Sequence, residues 1–136
     1  MRRLAFVAES DTALRSLLAQ VLRRSWEIRG AASGAELRAD LERGAGPEMS
    51  RVLVVVSARL ASDCAADIAE LAQARRCARL APLQVLVTCE LGELGRVLPN
   101  LEPAELIGTL EKPFDIDLLE ELVSNGLAEA HTARSS

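Results

Sequence analysis

The sequence predicts one α/β domain, a parallel sheet wound on both faces by helices. Three observations lead there. Short apolar runs alternate five times with segments whose apolar residues recur at helical spacing, a pattern that builds parallel sheets. Most of these runs are apolar throughout rather than at every second residue, as strands covered on both faces are. The chain has 136 residues, 49% of them hydrophobic, enough for one domain with a packed core.

Leu4 to Ala8 is the first apolar run and the first predicted strand. Glu9, Ser10, Asp11 and Thr12 follow as a polar loop rich in helix-capping residues. Leu14, Leu17, Leu18, Val21 and Leu22 then share one helical face, with Arg15, Gln20, Arg23 and Arg24 mostly off it. Trp26 to Arg29 alternate as a half-buried strand does, and Gly30 ends it. Trp26 is expected to cover the sheet edge; an exposed tryptophan there would instead suit an interface. Ser33 and Glu36 stand at capping-box spacing before a short helix whose Leu37 and Leu41 face inward. The stretch Gly44 to Pro47 terminates it.

The third strand is expected over Arg51 to Val56, with a loop from Ser57 to Asp63. Ile68, Leu71, Ala72 and Arg75 then recur at helical spacing, and Arg75 with Arg76 reads as a solvated helix end of favourable charge. After Pro82 comes the fourth strand, Gln84 to Thr88. Leu91, Leu94 and Leu98 predict a fourth helix, which Gly92 and Gly95 weaken by about 1 kcal/mol each relative to alanine. Pro99 and Pro103 bracket its exit, and Leu106 to Leu110 is the fifth strand. Lys112, Pro113 and Phe114 lead to Asp115 as a cap and to a last helix bearing Leu118, Leu119, Leu122 and Val123. The domain is expected over residues 1–127, with 128–136 as a flexible tail. Five strands in this alternation imply the flavodoxin-like order 2-1-3-4-5.

Composition narrows the function. Sixteen basic and twenty acidic residues give a net charge of −4, and no basic stripe with interleaved aromatics suggests nucleic acid. The apolar runs are too short to span a bilayer. Met1 to Leu4 is basic then apolar like an export signal, but Glu9 and Asp11 interrupt it early, so it reads as a strand and the location expected is cytoplasmic. Cys64, Cys77 and Cys89 fit no zinc or redox spacing and are expected as reduced, buried thiols. His131 is the only histidine and sits in the tail, which argues against a histidine-based centre.

Four segments carry a resemblance. Val7 to Arg15 is an acidic loop after strand one. Val55 to Leu60 is a strand end and its loop. Leu86 to Cys89 ends strand four with a hydroxyl and a small neighbour, and Leu110 to Asp115 contains Lys112-Pro113-Phe114. In this order and spacing, over about residues 4 to 126, the chain resembles the receiver domain of bacterial two-component response regulators. The resemblance implies a site at the carboxyl ends of the strands. There, two acids after strand one and an aspartate ending strand three hold magnesium. That aspartate accepts a phosphoryl group, which a strand-four hydroxyl and a lysine after strand five contact.

Thr88 and Lys112 match that pattern. Glu9 stands at the first acidic position, but Ser10 stands at the second and Ser57 at the acceptor. A serine hydroxyl is neither a ready nucleophile nor a hard-metal ligand of sufficient charge, so no metal and no cofactor is expected. Asp63 lies six residues past Ser57 and does not replace it. Asp11 could shift the acidic pair by one register, but it is also the natural helix cap, the reading preferred. Thr109 stands where the family often carries an aromatic relay, and Pro113 is where it has a cis bond. Lys112 either contacts an anion or pairs with Glu9, and Thr88 either binds a phosphoryl group or only ends a strand.

The resulting expectation is a non-enzymatic pseudo-receiver that transduces signals by protein contact without phosphorylation. The family's usual face would here include Leu91, Leu94, Arg96, Val97, Thr109, Glu111, Leu119 and Glu120. The first and last helices offer another pairing surface, and a homodimer follows by analogy. The alternative is a domain switched by a small ligand or anion held by Lys112, Thr88 and the first helix's amino end, which Glu9 opposes. The acidic loop disfavours a flavin carrier.

Overall fold

The computed structural model describes residues 2–44, 46, 48–90, 101–112 and 115–124. Its strands are β1 (Arg2–Ala8), β2 (Glu27–Ala31), β3 (Met49–Ser57), β4 (Gln84–Cys89) and β5 (Leu106–Glu111). Its helices are α1 (Thr12–Leu22), α2 (Gly34–Gly44), α3 (Ala58–Asp63), α4 (Ala65–Cys77) and a last helix, α5, over residues 116–124. The strands pair in parallel in the order β2-β1-β3-β4-β5. This is the flavodoxin-like arrangement expected from the alternation.

Alternate residues of each central strand feed two cores. Leu4, Phe6 and Ala8 of β1 join Val52, Val54 and Val56 of β3 and Val85 and Val87 of β4 under α2, α3 and α4. Ala5, Val7, Leu53, Val55 and Leu86 face the other way, under α1 and α5. Two covered faces are why these strands read as unbroken apolar runs. Trp26 is 5% exposed and belongs to the second core, so it is a packed side chain. Leu17 and Leu118, which share apolar helical patterns, are 43% and 44% exposed.

Local capping follows the sequence closely. Asp11 accepts from the backbone N–H of Ala13 and Leu14 at 2.9 and 3.2 Å and so caps α1. Ser33 Oγ accepts from Glu36 N, while the Glu36 carboxylate reaches back to Ala32 N, one residue beyond the usual reciprocal box. Asp115 caps α5 through Asp117 N at 2.9 Å.

Three expectations are corrected. Residues after Ser57 form the short helix α3 rather than a loop, because Ala58, Arg59, Leu60 and Ala61 are good helix formers behind a serine cap. Arg75 is not solvated. It is 1% exposed, and it donates from Nε to Ala81 O at 2.8 Å and from Nη2 to Met49 O at 3.1 Å. Arg76 pairs with Glu105, itself 1% exposed, and with Glu102. Of the thiols, Cys64 and Cys89 are buried but Cys77, the last residue of α4, is exposed.

The turn leaving α4 explains Arg75's position. Arg79 adopts a left-handed φ of 57°. Leu80 N then bonds Arg75 O at 2.9 Å and Arg79 N bonds Arg76 O at 3.0 Å, a Schellman closure without its usual glycine. The predicted fourth helix (Leu91, Leu94, Leu98), its glycines and Pro99, the Pro113 bond and the tail 128–136 lie outside the described residues.

Candidate functional site

In a doubly wound sheet, the crevice forms at the carboxyl ends of the strands where the chain reverses direction across the sheet. Here β1 and β3 are neighbours, with β2 outside β1 and β4 outside β3. The residues leaving β1 and ending β3, Glu9 and Ser57, therefore flank that point. Ser57 is in register with Thr88 of β4, and Lys112 follows β5. Glu9, Ser10, Ser57, Thr88 and Lys112 all line one cavity of about 110 Å³, so five positions spread over 104 residues of sequence converge.

Each group there has a defined partner or lack of one. Glu9 is 2% exposed. Its Oε1 pairs with Lys112 Nζ, and its Oε2 accepts from Ser10 N at 2.8 Å. Lys112 Nζ also reaches Glu90 Oε1 at 3.3 Å, and its backbone N–H extends the ladder to Cys89 O at 2.8 Å. Burial alone would push the ammonium pKa down. The hydrogen bond and charge of Glu9, with those of Glu90, outweigh this and hold it above the ordinary lysine value. Arg15 Nη1 donates to Glu9 O at 2.7 Å and braces the loop after β1.

Ser57 is 7% exposed, and its Oγ accepts a long 3.5 Å bond from Leu60 N as the cap of α3. Thr88 is 1% exposed, and among the described residues its Oγ1 has no hydrogen-bond partner. Of the two readings of Lys112, the geometry realises the pair with Glu9. Asp11 serves as a cap and does not face the cavity as a second acid.

Magnesium does not fit this set of donors. It needs near-octahedral oxygen ligation and is bound through carboxylates. The only carboxylate of the expected triad is Glu9, and both of its oxygens are already engaged. Among the described residues, no group of three or more His, Cys, Asp or Glu side chains converges as a metal cluster.

The sequence reading missed Glu90 and Arg59, which also line the cavity. Glu90 stands two residues after Thr88, just past the strand end, and belongs to none of the four motif segments. The expected protein-contact face is only partly described. Thr109 is exposed and Glu111 half-buried on β5. Leu119 is 0% exposed inside the second core and so cannot present a contact surface, a correction. Glu120 is exposed but lines a groove with Arg24 and Trp26 beside α1. Leu91, Leu94, Arg96 and Val97 lie outside the described residues.

No protein-family model matches the sequence, and no curated protein matches it. Solved structures do match. The response regulator receiver domain protein (CheY-like) of Methanospirillum hungatei JF-1 superposes with a TM-score of 0.72 at 17% identity, covering 98% of this chain and 99% of that one. The signal receiver domain of an HD domain-containing protein from Pseudomonas fluorescens Pf-5 gives 0.71 at 17% identity, covering 97% and 99%. A response regulator receiver protein from Pseudomonas putida gives 0.66 at 21% identity, covering 92% and 98%. At these identities the shared property is the fold, and it is the fold of response-regulator receiver domains.

Proposed function

We propose that the chain is a receiver-like signalling module that takes no phosphoryl group at Ser57 and acts by contact with a protein partner. The observation that carries this is the engagement of the groups that would do the chemistry. Ser57 Oγ is the cap of α3, and among the described residues no carboxylate or imidazole hydrogen-bonds to it as a base. Lys112 is held between Glu9 and Glu90. No strand-five aromatic is available as a relay, because Thr109 occupies that place.

One observation favours a second reading. Thr88 Oγ1 is buried, has no hydrogen-bond partner among the described residues and belongs to a residue that lines the cavity, which suits a small ligand or anion that switches the domain. Titrating isotope-labelled protein with magnesium and beryllofluoride, a phosphoryl mimic, separates the two. The contact-only reading expects no saturable amide shift at Ser57, Thr88 or Lys112. Saturable shifts that spread to Thr109 would replace it with the ligand-switched reading.

A further inference from the structure

One flank of α1 borders β2, the outermost strand of the sheet, which pairs only with β1 among the described residues. Ala31 O accepts from Glu9 N, so the backbone groups of Ala31 point toward β1. A strand residue turns its N–H and C=O to the same side, and successive residues alternate. Gly30 and Ile28 therefore turn theirs outward, away from β1. An edge with free N–H and C=O groups is a template for another strand.

A basic groove lies along that edge. Arg15, Ser16, Gln20 and Arg23 of α1 and its exit, with Ile28 and Gly30 of β2, line a cavity of about 530 Å³. The two β2 residues in the lining are the two whose backbone faces outward. No acidic residue lines the groove. Glu27, the acid on β2, pairs instead with Arg2 at 3.1 Å. Arg15 donates one guanidinium N–H to Glu9 O, and among the described residues neither Arg15 nor Arg23 enters an ion pair. Two unmatched cations thus stand together on a chain whose net charge is −4. A β-carbon at Gly30 would lie 3.7 Å from Arg15 Cδ, so the Arg15 stem passes over the strand where it has no side chain.

We propose that this groove takes an extended acidic segment of a partner protein, added as a further strand beside β2, with two carboxylates four residues apart on Arg15 and Arg23. The spacing follows from the two elements. From Arg15 to Arg23 the helix rises about 12 Å at 1.5 Å per residue. Four residues of strand span about 13 Å, and residues four apart share a face. The outward N–H and C=O of Ile28 and Gly30 supply main-chain bonds, and the arginines select the sequence. A small inorganic anion would meet one arginine only. A single-stranded nucleic acid would stack on aromatic faces, and none lines the groove.

This inference gives the contact-based reading a class of partner and rests on it to that extent. The groove shares no residue with the cavity, so beryllofluoride shifts would remove that reading and leave the groove's own test standing. The probe is a blocked eight-residue threonine peptide with glutamate at its second and sixth positions, titrated into the isotope-labelled full chain. The expected result is saturable binding that weakens as salt rises, with amide exchange slowed at Ile28 and Gly30. Moving the second glutamate to the fifth position puts the carboxylates on opposite faces and should weaken binding about tenfold, as should Arg23→Glu. Against Arg23→Glu, a peptide with one glutamate changed to lysine should restore binding, and which one does so gives the direction of the added strand. Arg15 is left intact because it braces the loop after β1. Melts check the variant's fold, and the comparison of peptide spacings needs no variant. Absence of saturable binding overturns the proposal. So does binding that ignores the glutamate spacing, binding that leaves exchange at Ile28 and Gly30 unchanged, competition by inorganic phosphate at matched ionic strength, or failure of both lysine peptides to rescue Arg23→Glu.

Discussion

The two ends of the sheet bury charge in different ways. At the carboxyl end, an ammonium sits between two carboxylates at the wall of a small cavity, and the Lys112 side chain keeps 19% of its surface in contact with solvent. At the amino end, Arg75 and Glu105 are each 1% exposed. Arg75 bonds the carbonyls of Met49 and Ala81, at the entries to β3 and β4. Glu105 accepts from Arg76 and from Glu102 N at 2.7 Å, and its own carbonyl accepts from Val85 N at 2.7 Å. At the carboxyl end the Lys112 ammonium bonds two other side chains, those of Glu9 and Glu90. Arg75 instead holds backbone carbonyls at the entries to two strands. Polar burial at the amino end braces the entries to β3 and β4; polar burial at the carboxyl end lines a cavity.

The sharpest way to break this comparison is Arg75→Met. It should leave two carbonyls without their donor and lower stability by about 3 kcal/mol, a drop in melting temperature on the order of 10 °C. Urea unfolding checks it, and a loss under 1 kcal/mol would mean that water reaches the amino end as easily as the cavity. Gln84→Met should have the next largest effect and the opposite sign. Gln84 is 0% exposed, and among the described residues neither Oε1 nor Nε2 has a hydrogen-bond partner. Replacing it with an apolar side chain of similar volume should raise stability by about 1 to 2 kcal/mol. Nothing else in the structure explains a glutamine at that position.

How much of this was legible in the sequence depends on range. The strands were legible because burial on both faces makes each an unbroken apolar run. The caps at Asp11 and Asp115 were legible because a cap is decided within three residues. Helix α3 was not, because six residues show too little of a 3.6-residue period to register. Arg75 shares the helical spacing of Ile68, Leu71 and Ala72, but an arginine at a helix end carries no sequence mark of burial. Leu119 was assigned both to an inward stripe and to an outer face, and burial decides for the first. At the site, four motif segments were enough to bring Glu9, Ser10, Ser57, Thr88 and Lys112 together. Glu90 belongs to no motif, so only the fold shows that it reaches Lys112.

A smaller effect is expected from Lys112→Met. Glu9 would stay 2% exposed without its cation, but the cavity admits water, so the loss should be about 1 kcal/mol at neutral pH. The pH dependence has a definite sign. Lys112's pKa is raised in the folded state, so its contribution is fully present below the unfolded value of about 10.4 and is lost as pH rises through the folded one. The stability difference between the natural chain and Lys112→Met should therefore be constant from neutral pH to about pH 10 and shrink above that. Unfolding curves at neutral and strongly alkaline pH measure it. A difference that grew with pH would mean that Glu9 and Glu90 do not hold the ammonium.

Thr88→Val is expected to do least, within about 0.5 kcal/mol either way, and it tests the comparison most finely. Thr88 and Gln84 lie on the same strand, both buried and both with side-chain polar atoms that lack partners among the described residues. They differ in what lies beside them. Thr88 borders the open cavity, whose polar lining offers a water two or more partners. Gln84 borders no cavity among those described. If water supplies the missing bond, the hydroxyl of Thr88 is neutral to stability and a methyl group gains nothing. Should Thr88→Val instead stabilise the fold as much as Gln84→Met, the hydroxyl is dry. Its burial would then be an uncompensated cost at a position where a ligand's oxygen could relieve it, and the cavity would be suited to receive that oxygen rather than to exclude it.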